Sequence, residues 1–200
     1  SLTNYIRNPL QFYMQRILRI NEADEVEENI AVNTLGTIIH NALEELYTPY
    51  LNQYLALHHF ETMETKIDEV ILKHFKEIYK EGEITKGKNL LAFEVAKRNV
   101  YNFLQLEKKD IEEGQAIKVV LLEASLSCEI EVKSLPFPIK IAGKVDRIEE
   151  RNGAIRIIDY KTGKVLGNSL KINDFTDLTS DIKNEKIIQL LCYALMFENH

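Results

Sequence analysis

An α+β fold is predicted for this chain, with a helical half over about residues 1–113 and a sheet with a closing helix over about 114–200. Three observations predict it. Apolar residues recur at helical spacing as far as Lys109, and at Ile117 the period changes to two. Between two later alternating runs stands Asn152-Gly153, the dipeptide best suited to a two-residue hairpin loop, because both of its positions tolerate positive φ.

Taken in order, Ile6, Leu10, Phe12, Tyr13, Ile17 and Leu18 mark a first helix from Thr3, its N-cap, to about Arg19, bent or divided at Pro9. The acidic, non-periodic stretch Glu22 to Asn29 reads as a surface loop. A second helix spans Asn33 to Tyr47, with Ile39, Leu43, Leu46 and Tyr47 on one apolar stripe and His40 at its edge. Gly36, one turn before His40, costs about 1 kcal/mol in a helix relative to Ala, which marks a close approach of backbone or ligand. From spacing alone, His40 reads as a hydrogen-bonded packing residue at least as readily as a ligand. Two further amphipathic helices, from about Glu61 to Lys80 and Leu90 to Lys109, flank the breaker-rich segment Glu81 to Gly87. Nothing in them carries chemistry by spacing, and His58, His59 and His74 read as structural or surface residues.

The sheet begins with a long half-exposed strand in which Leu122, Ala124, Leu126, Cys128, Ile130 and Val132 alternate with Glu123, Ser125, Ser127, Glu129 and Glu131. After a turn at Pro136 and Pro138, strands from Ile139 to Glu149 and from Ala154 to Lys161 complete an antiparallel meander. With Arg151 facing Ala154 across the loop, the register places Asp146 directly opposite Asp159, their Cβ atoms about 5 Å apart. Lys161 shares the face of Asp159, and Tyr160 points to the other. Opposed like charges destabilise a hairpin, so a positive group, best a metal ion, is expected between them. Residues 162–180 read as loop. The last helix runs from about Ile182, capped by Asp181 or Ser180, and is apolar on nearly all sides. Lys186, Gln189 and Tyr193 form a polar stripe on it that needs partners, either beside a metal or in ordinary core hydrogen bonds.

Two hundred residues suit one domain with a real core, and 45% hydrophobic with 28% charged residues is ordinary for a globular protein. No apolar run reaches the roughly 18 residues that span a bilayer, and no signal peptide opens the chain, so no membrane partner is expected. Cys128 and Cys192 lack metal-ligand spacing and read as reduced core residues, which points to the cytoplasm. A net charge of −6 speaks against a general DNA-coating protein but not against a local grip on DNA. The chain starts at a helix and stops within one, as a domain cut from a longer protein would.

The strings Gly143-Lys144-Val145-Asp146-Arg147-Ile148 and Asp159-Tyr160-Lys161-Thr162-Gly163, with Gln189 and Tyr193 after them, resemble the PD-(D/E)xK nuclease superfamily, the RecB/AddB type in particular. Gly36 and His40 match that type's helix with a metal-binding His after a Gly, and the order and intervals of all four motifs agree. The resemblance implies an α/β/α restriction-endonuclease-like core, a central mixed sheet flanked by helices. It implies Mg²⁺ or Mn²⁺ held by His40, Asp146, Asp159 and the Tyr160 carbonyl, with Lys161 catalytic alongside the two Asp residues. Gln189, Tyr193 and Lys186 would then bind the DNA backbone or order the site. Glu123 is a further candidate where the family often has an acidic residue, with solvent exposure as its competing reading. Iron–sulfur members carry a Cys before the Pro of the first helix and three more near the C-terminus. Asn8 precedes Pro9 here and there is no Cys cluster, so no iron–sulfur cluster is expected.

These features support a metal-dependent deoxyribonuclease, exonuclease-type, in a helicase–nuclease, repair, phage or defence protein, with DNA and a helicase domain or subunit as partners. A catalytically inactive DNA-binding or docking scaffold of the same fold is the alternative. A hydrolase of small phosphate esters is a third.

Overall fold

A computed structural model describes residues 2–20, 32–78, 86–163, 178 and 184–199. The expected loop from Glu22 to Asn29, the caps at Ser180 and Asp181, and most of the breaker segment and of 162–180 lie outside the described residues.

Pro9 divides the first helix, as its missing N–H and its clash with the preceding turn require. Helix α1 (Leu2–Arg7) starts before Thr3 and ends at Asn8, which is extended (φ −154) and caps α2 (Pro9–Phe12) by accepting from the Gln11 N–H at 3.0 Å. A π-helical turn, Tyr13–Ile17, follows, and here Leu10, Tyr13, Ile17 and Leu18 are exposed.

The chain gathers into two compact units, described separately. One contains Val26–Ala124 and Asp146–Thr162. Its core is built by α3 (Val32–Tyr47), α4 (Leu57–Ile78) and α5 (Gly87–Glu112). The α3 stripe widens to Ile38, Ile39, Ala42, Leu43, Leu46 and Tyr47, all at most 4% exposed. Against it pack Phe60, Met63, Ile67, Ile71 and Phe75 of α4 and Ala96, Val100 and Leu104 of α5. Burying each large apolar side chain of this set contributes about 1.5–3 kcal/mol before entropy is counted. His59 stacks on Tyr50 and accepts from the Ala56 N–H, and buried His74 meets Glu45 and Glu77, so both serve structure.

The strands β1 (Ile117–Ile130), β2 (Ile139–Arg151) and β3 (Ala154–Ile158) form a three-stranded antiparallel sheet in the order β1-β2-β3. With the flanking helices this is the expected α+β, restriction-endonuclease-like class. Asn152 (φ +51) and Gly153 (φ +82) make the turn, and the register runs from Arg151 opposite Ala154 to Arg147 opposite Ile158. The ladder follows the predicted pairing but stops there. The strand expected to reach Lys161 ends three residues earlier, so Asp159 forms no ladder pair with Asp146. The long alternation expected of β1 is also interrupted. Ile117 and Val119 are buried near its start, Leu126 and Cys128 beyond Glu123, and this change of parity falls at Glu123, whose φ is +47. An extra residue of left-handed conformation within a strand does what a β-bulge does and re-aims the side chains on either side of it.

The second unit contains Ser1–Glu25, Ser125–Val145 and Gly163–His200. Helix α6 (Glu185–Glu198) buries Ile187, Ile188, Tyr193 and Met196, whereas Leu191 is 42% exposed; it is covered on one face, not all round. A Cβ on Gly143 of β2 would meet Met196 Cε at 3.1 Å and Tyr193 Cε1 at 3.4 Å, so glycine lets α6 approach the strand. Cys128 and Cys192 are free thiols, the first buried.

The hairpin turn is clamped from outside. The Asn152 N–H donates to the Ala116 carbonyl at 2.9 Å, and its side-chain oxygen accepts from the Ala116 N–H at 2.8 Å. Asn152→Ala should therefore lose about 1–2 kcal/mol in urea unfolding, from left-handed strain plus the lost hydrogen bond. Asn152→Gly should lose less, because only the side-chain part is removed; equal stability of Asn152→Ala and wild type would contradict the clamp.

Candidate metal centre

His40 reaches the site because α3 carries it at the stripe's edge, four residues after Gly36. The Thr162 hydroxyl oxygen lies 3.3 Å from where a Gly36 Cβ would stand, so the segment after β3 crosses the helix where the sequence marked a close approach. From the sheet come Glu123 of β1 and Asp146 of β2, and from the segment beyond β3 comes the peptide of Tyr160.

These groups converge. His40 Nδ1 lies 3.5 Å from Asp146 Oδ1 and 3.9 Å from Glu123 Oε1, and His40 Nε2 lies 3.2 Å from the Tyr160 carbonyl oxygen. One donor atom from each of His40, Glu123 and Asp146 falls within 4.8 Å of the other two. All three side chains are mostly buried, at 24%, 11% and 13% exposed. Glu123 is thus not the solvent-facing residue that strand alternation would make it. The left-handed backbone at this residue coincides with its place in the site.

Asp146 also explains why β3 ends early. Its second oxygen, Oδ2, accepts from the Tyr160 N–H at 2.6 Å, so that N–H points at a side chain rather than continuing the ladder. Asp159 consequently stands outside the three-residue donor group, and its Oδ2 lies 2.5 Å from Lys161 Nζ. Asp159 and Lys161, expected on one face of a strand, lie beyond the end of β3 and meet through this ion pair. Tyr160 alternates away, its ring packed on the helical core.

Two carboxylates around one imidazole raise the affinity of His40 for a proton. Its pKa stands above the ordinary value chiefly because Asp146 accepts its hydrogen bond, with burial opposing and Glu123 and the Tyr160 carbonyl assisting. The same surroundings suit a divalent cation. One imidazole nitrogen and two carboxylates form a donor set that a divalent cation accepts. His40 through Nδ1, Glu123 and Asp146 could hold it, with the Tyr160 carbonyl accepting from Nε2–H on the other edge of the ring.

Of the remaining expected residues, Lys186, Gln189 and Tyr193 lie on α6 in the other unit. Gln189 Nε2 donates to the Tyr193 hydroxyl at 2.6 Å, so that part of the polar stripe is satisfied within the helix.

Sequence reasoning passed over a second constellation beneath this site. Arg147, next to Asp146 but on the other face of β2, is completely buried. Its Nη2 lies 2.9 Å from Glu107 Oε1 and 2.5 Å from Glu149 Oε2, and its guanidinium lies over the Tyr47 and Phe103 rings at 4.7 and 5.9 Å. The Tyr47 hydroxyl donates to Glu107 Oε2 at 2.5 Å, and Arg151 closes the cluster through Glu149 and Asp110. Burial pushes the Glu107 carboxyl up against the pull of Arg147, and raises the Tyr47 and Tyr160 hydroxyls well above their usual range. A signal was available: Glu107 continues the series Ala96, Val100, Leu104 on the buried face of α5.

Comparison with known proteins adds relatives of unassigned role. Uncharacterized proteins of Rickettsia conorii and Rickettsia typhi are each 25% identical over 174 residues, which is 82% of this chain. The chain spans only 19% and 18% of their lengths, respectively. A family model for the PD-(D/E)XK nuclease superfamily matches residues 1–200. That match takes in every element of the sheet and of the donor set, and the chain belongs to the PD-(D/E)XK nuclease superfamily.

Proposed function

We propose that this chain is a Mg²⁺- or Mn²⁺-dependent DNA nuclease module of the RecB/AddB type, acting as an exonuclease within a longer helicase–nuclease, repair, phage or defence protein of the cytoplasm. The observation that carries the reading is the convergence of His40, Glu123 and Asp146, with the Tyr160 carbonyl on the second ring nitrogen of His40. The much greater length of the relatives supports a module within a larger chain.

A divalent cation on these donors supplies Lewis acidity, polarising a phosphoryl oxygen and making water a stronger nucleophile. The chain's residues do the rest. Asp146 has one oxygen near His40 and the other on the Tyr160 N–H, so its carboxylate is oriented before substrate arrives. Lys161 is 38% exposed, held at its ammonium by Asp159, and so presents a positive donor to a phosphate at the rim. There it orients the attacking water or neutralises charge developing on the phosphoryl oxygens. Asp159 enters as the residue that holds Lys161 and as the further carboxylate that the resemblance implies. Gln189, Tyr193 and Lys186 enter as contacts to the DNA backbone. The domain is taken as one nuclease domain over 1–200, without an iron–sulfur cluster.

Linear single- and double-stranded DNA with Mn²⁺ should be cut by the wild type. Asp146→Ala and Lys161→Ala should each lower the rate by about 10²-fold or more with circular dichroism unchanged. Equal cleavage by wild type and both variants would remove the assignment. Wild-type protein that neither takes up Mn²⁺ by calorimetry nor cuts DNA would turn it toward the docking scaffold.

The raised pKa of His40 has a signed consequence. Charged His40 stabilises the metal-free fold fully below about 6.5, and that contribution is lost as pH rises through the raised folded value. Metal uptake needs the neutral ring and runs the other way. Calorimetric Mn²⁺ affinity should fall about tenfold per pH unit below the His40 pKa, beginning above 6.5, and His40→Gln should flatten the profile. A wild-type affinity that does not change between pH 8 and pH 5.5 would exclude His40 as a ligand.

A further inference from the structure

We propose that Glu107 is a positioning residue for the candidate metal centre: its Oε2, shared by the Tyr47 hydroxyl of α3 and the Arg147 guanidinium of β2, fixes how the helix carrying His40 lies on the strand carrying Asp146. The inference rests on the metal-site reading and gives the buried cluster a task within it.

Three observations carry it. First, the donors arrive on separate elements, His40 on α3, Glu123 on β1 and Asp146 on β2, so their spacing is set by how those elements pack. Second, one carboxylate joins two of these elements. Glu107 Oε2 accepts from the Tyr47 hydroxyl at 2.5 Å and from Arg147 Nη1 at 3.2 Å, while Oε1 lies 2.9 Å from Arg147 Nη2. The guanidinium carbon also sits 4.7 Å from the centre of the Tyr47 ring, so α3 and β2 meet directly as well as through Glu107. Third, the grip falls close to the donors along the chain. Tyr47 follows His40 by about two turns, which puts it on nearly the same side of α3, and Arg147 directly follows Asp146.

What the cluster adds is direction. Ile39, Leu43 and Leu46 bury α3 in the core, but apolar burial has no preferred angle and tolerates a small turn or slide of the helix. A hydroxyl held on one carboxylate oxygen, with a planar guanidinium over its ring, does not. A turn of α3 about its axis would carry Tyr47 off Glu107 and His40 off Asp146 together. Glu107, Arg147 and Tyr47 are all buried. Net stability explains such a cluster poorly, since well-packed apolar residues in place of buried ion pairs are often neutral or stabilising.

The test uses Tyr47→Phe, which deletes the bond to Oε2 and keeps the ring under Arg147, and Glu107→Gln, which removes the charge and keeps the reach. Ile71→Val, in the same core but on α4 and outside the cluster, is the control for lost stability. In metal-free protein, the nuclear Overhauser cross-peak between the His40 ring and the Asp146 β-protons should weaken in both cluster variants and persist in Ile71→Val. Mn²⁺ affinity by calorimetry should fall about tenfold in both cluster variants and stay at the wild-type value in Ile71→Val, with urea unfolding confirming that each is folded. Adding Tyr47→Phe to His40→Gln should lower the affinity no further than His40→Gln alone, because the anchor acts through His40. Wild-type Mn²⁺ affinity in both cluster variants would overturn the proposal and leave the metal site standing. An equal fall in Ile71→Val would overturn it too, by making the effect one of stability. Wild-type protein that takes up no Mn²⁺, with the cross-peak still weakened in the cluster variants, would instead overturn the metal reading on which the proposal rests.

Discussion

Two residues of positive φ govern a site several residues away. Asn152 and Gly153 close the β2–β3 turn, and the turn sets which residues of the two strands face each other. A slip of one residue would exchange the faces of every side chain on β3 and the segment after it. Tyr160 would then present its ring where Lys161 now stands, and the core would receive a lysine. The interlock of Asn152 with Ala116 ties the turn to the junction of α5 and β1, so the register is held by the helical core as well as by the hairpin.

Within that frame, one carboxylate decides the shape of the site. Asp146 has an oxygen near His40 and an oxygen on the Tyr160 N–H, and the second contact coincides with the end of the β3 ladder. Ending the ladder there frees the Tyr160 carbonyl from strand pairing and brings it to His40. A strand that continued to Lys161 would have spent these backbone atoms on the sheet. Glu123 is placed by a comparable departure: its left-handed φ breaks the alternation of β1 at the position that faces the site. Departures from regular geometry of this kind cost on the order of 1–3 kcal/mol each and persist where the surroundings over-determine them.

The helical core supplies that over-determination. Tyr47 from α3, Phe103 and Glu107 from α5, and Arg147 and Glu149 from β2 form a buried charged and aromatic cluster directly behind the candidate metal centre. Its charges are mutually compensated, which is the condition under which they can be buried at all. The superfamily motif therefore extends physically beyond its acidic residues: the arginine that follows Asp146 belongs to the scaffold behind them.

Much was legible in the residues themselves. Helical period, the break at Pro9, the change to period two at Ile117 and the Asn-Gly turn are local properties, set by φ preferences and by which side chains share a face. They sufficed for the fold class, whereas the grouping of His40 with Asp146 and the Tyr160 carbonyl came from the family resemblance. Tertiary structure decided what local rules could not express. The early end of β3 depends on a side chain fourteen residues away taking a backbone donor. The burial of Glu107 and Arg147 depends on charges from separate elements meeting in one place. The turn of Glu123 inward depends on a strained φ that no propensity favours, because only a completed site can stabilise it.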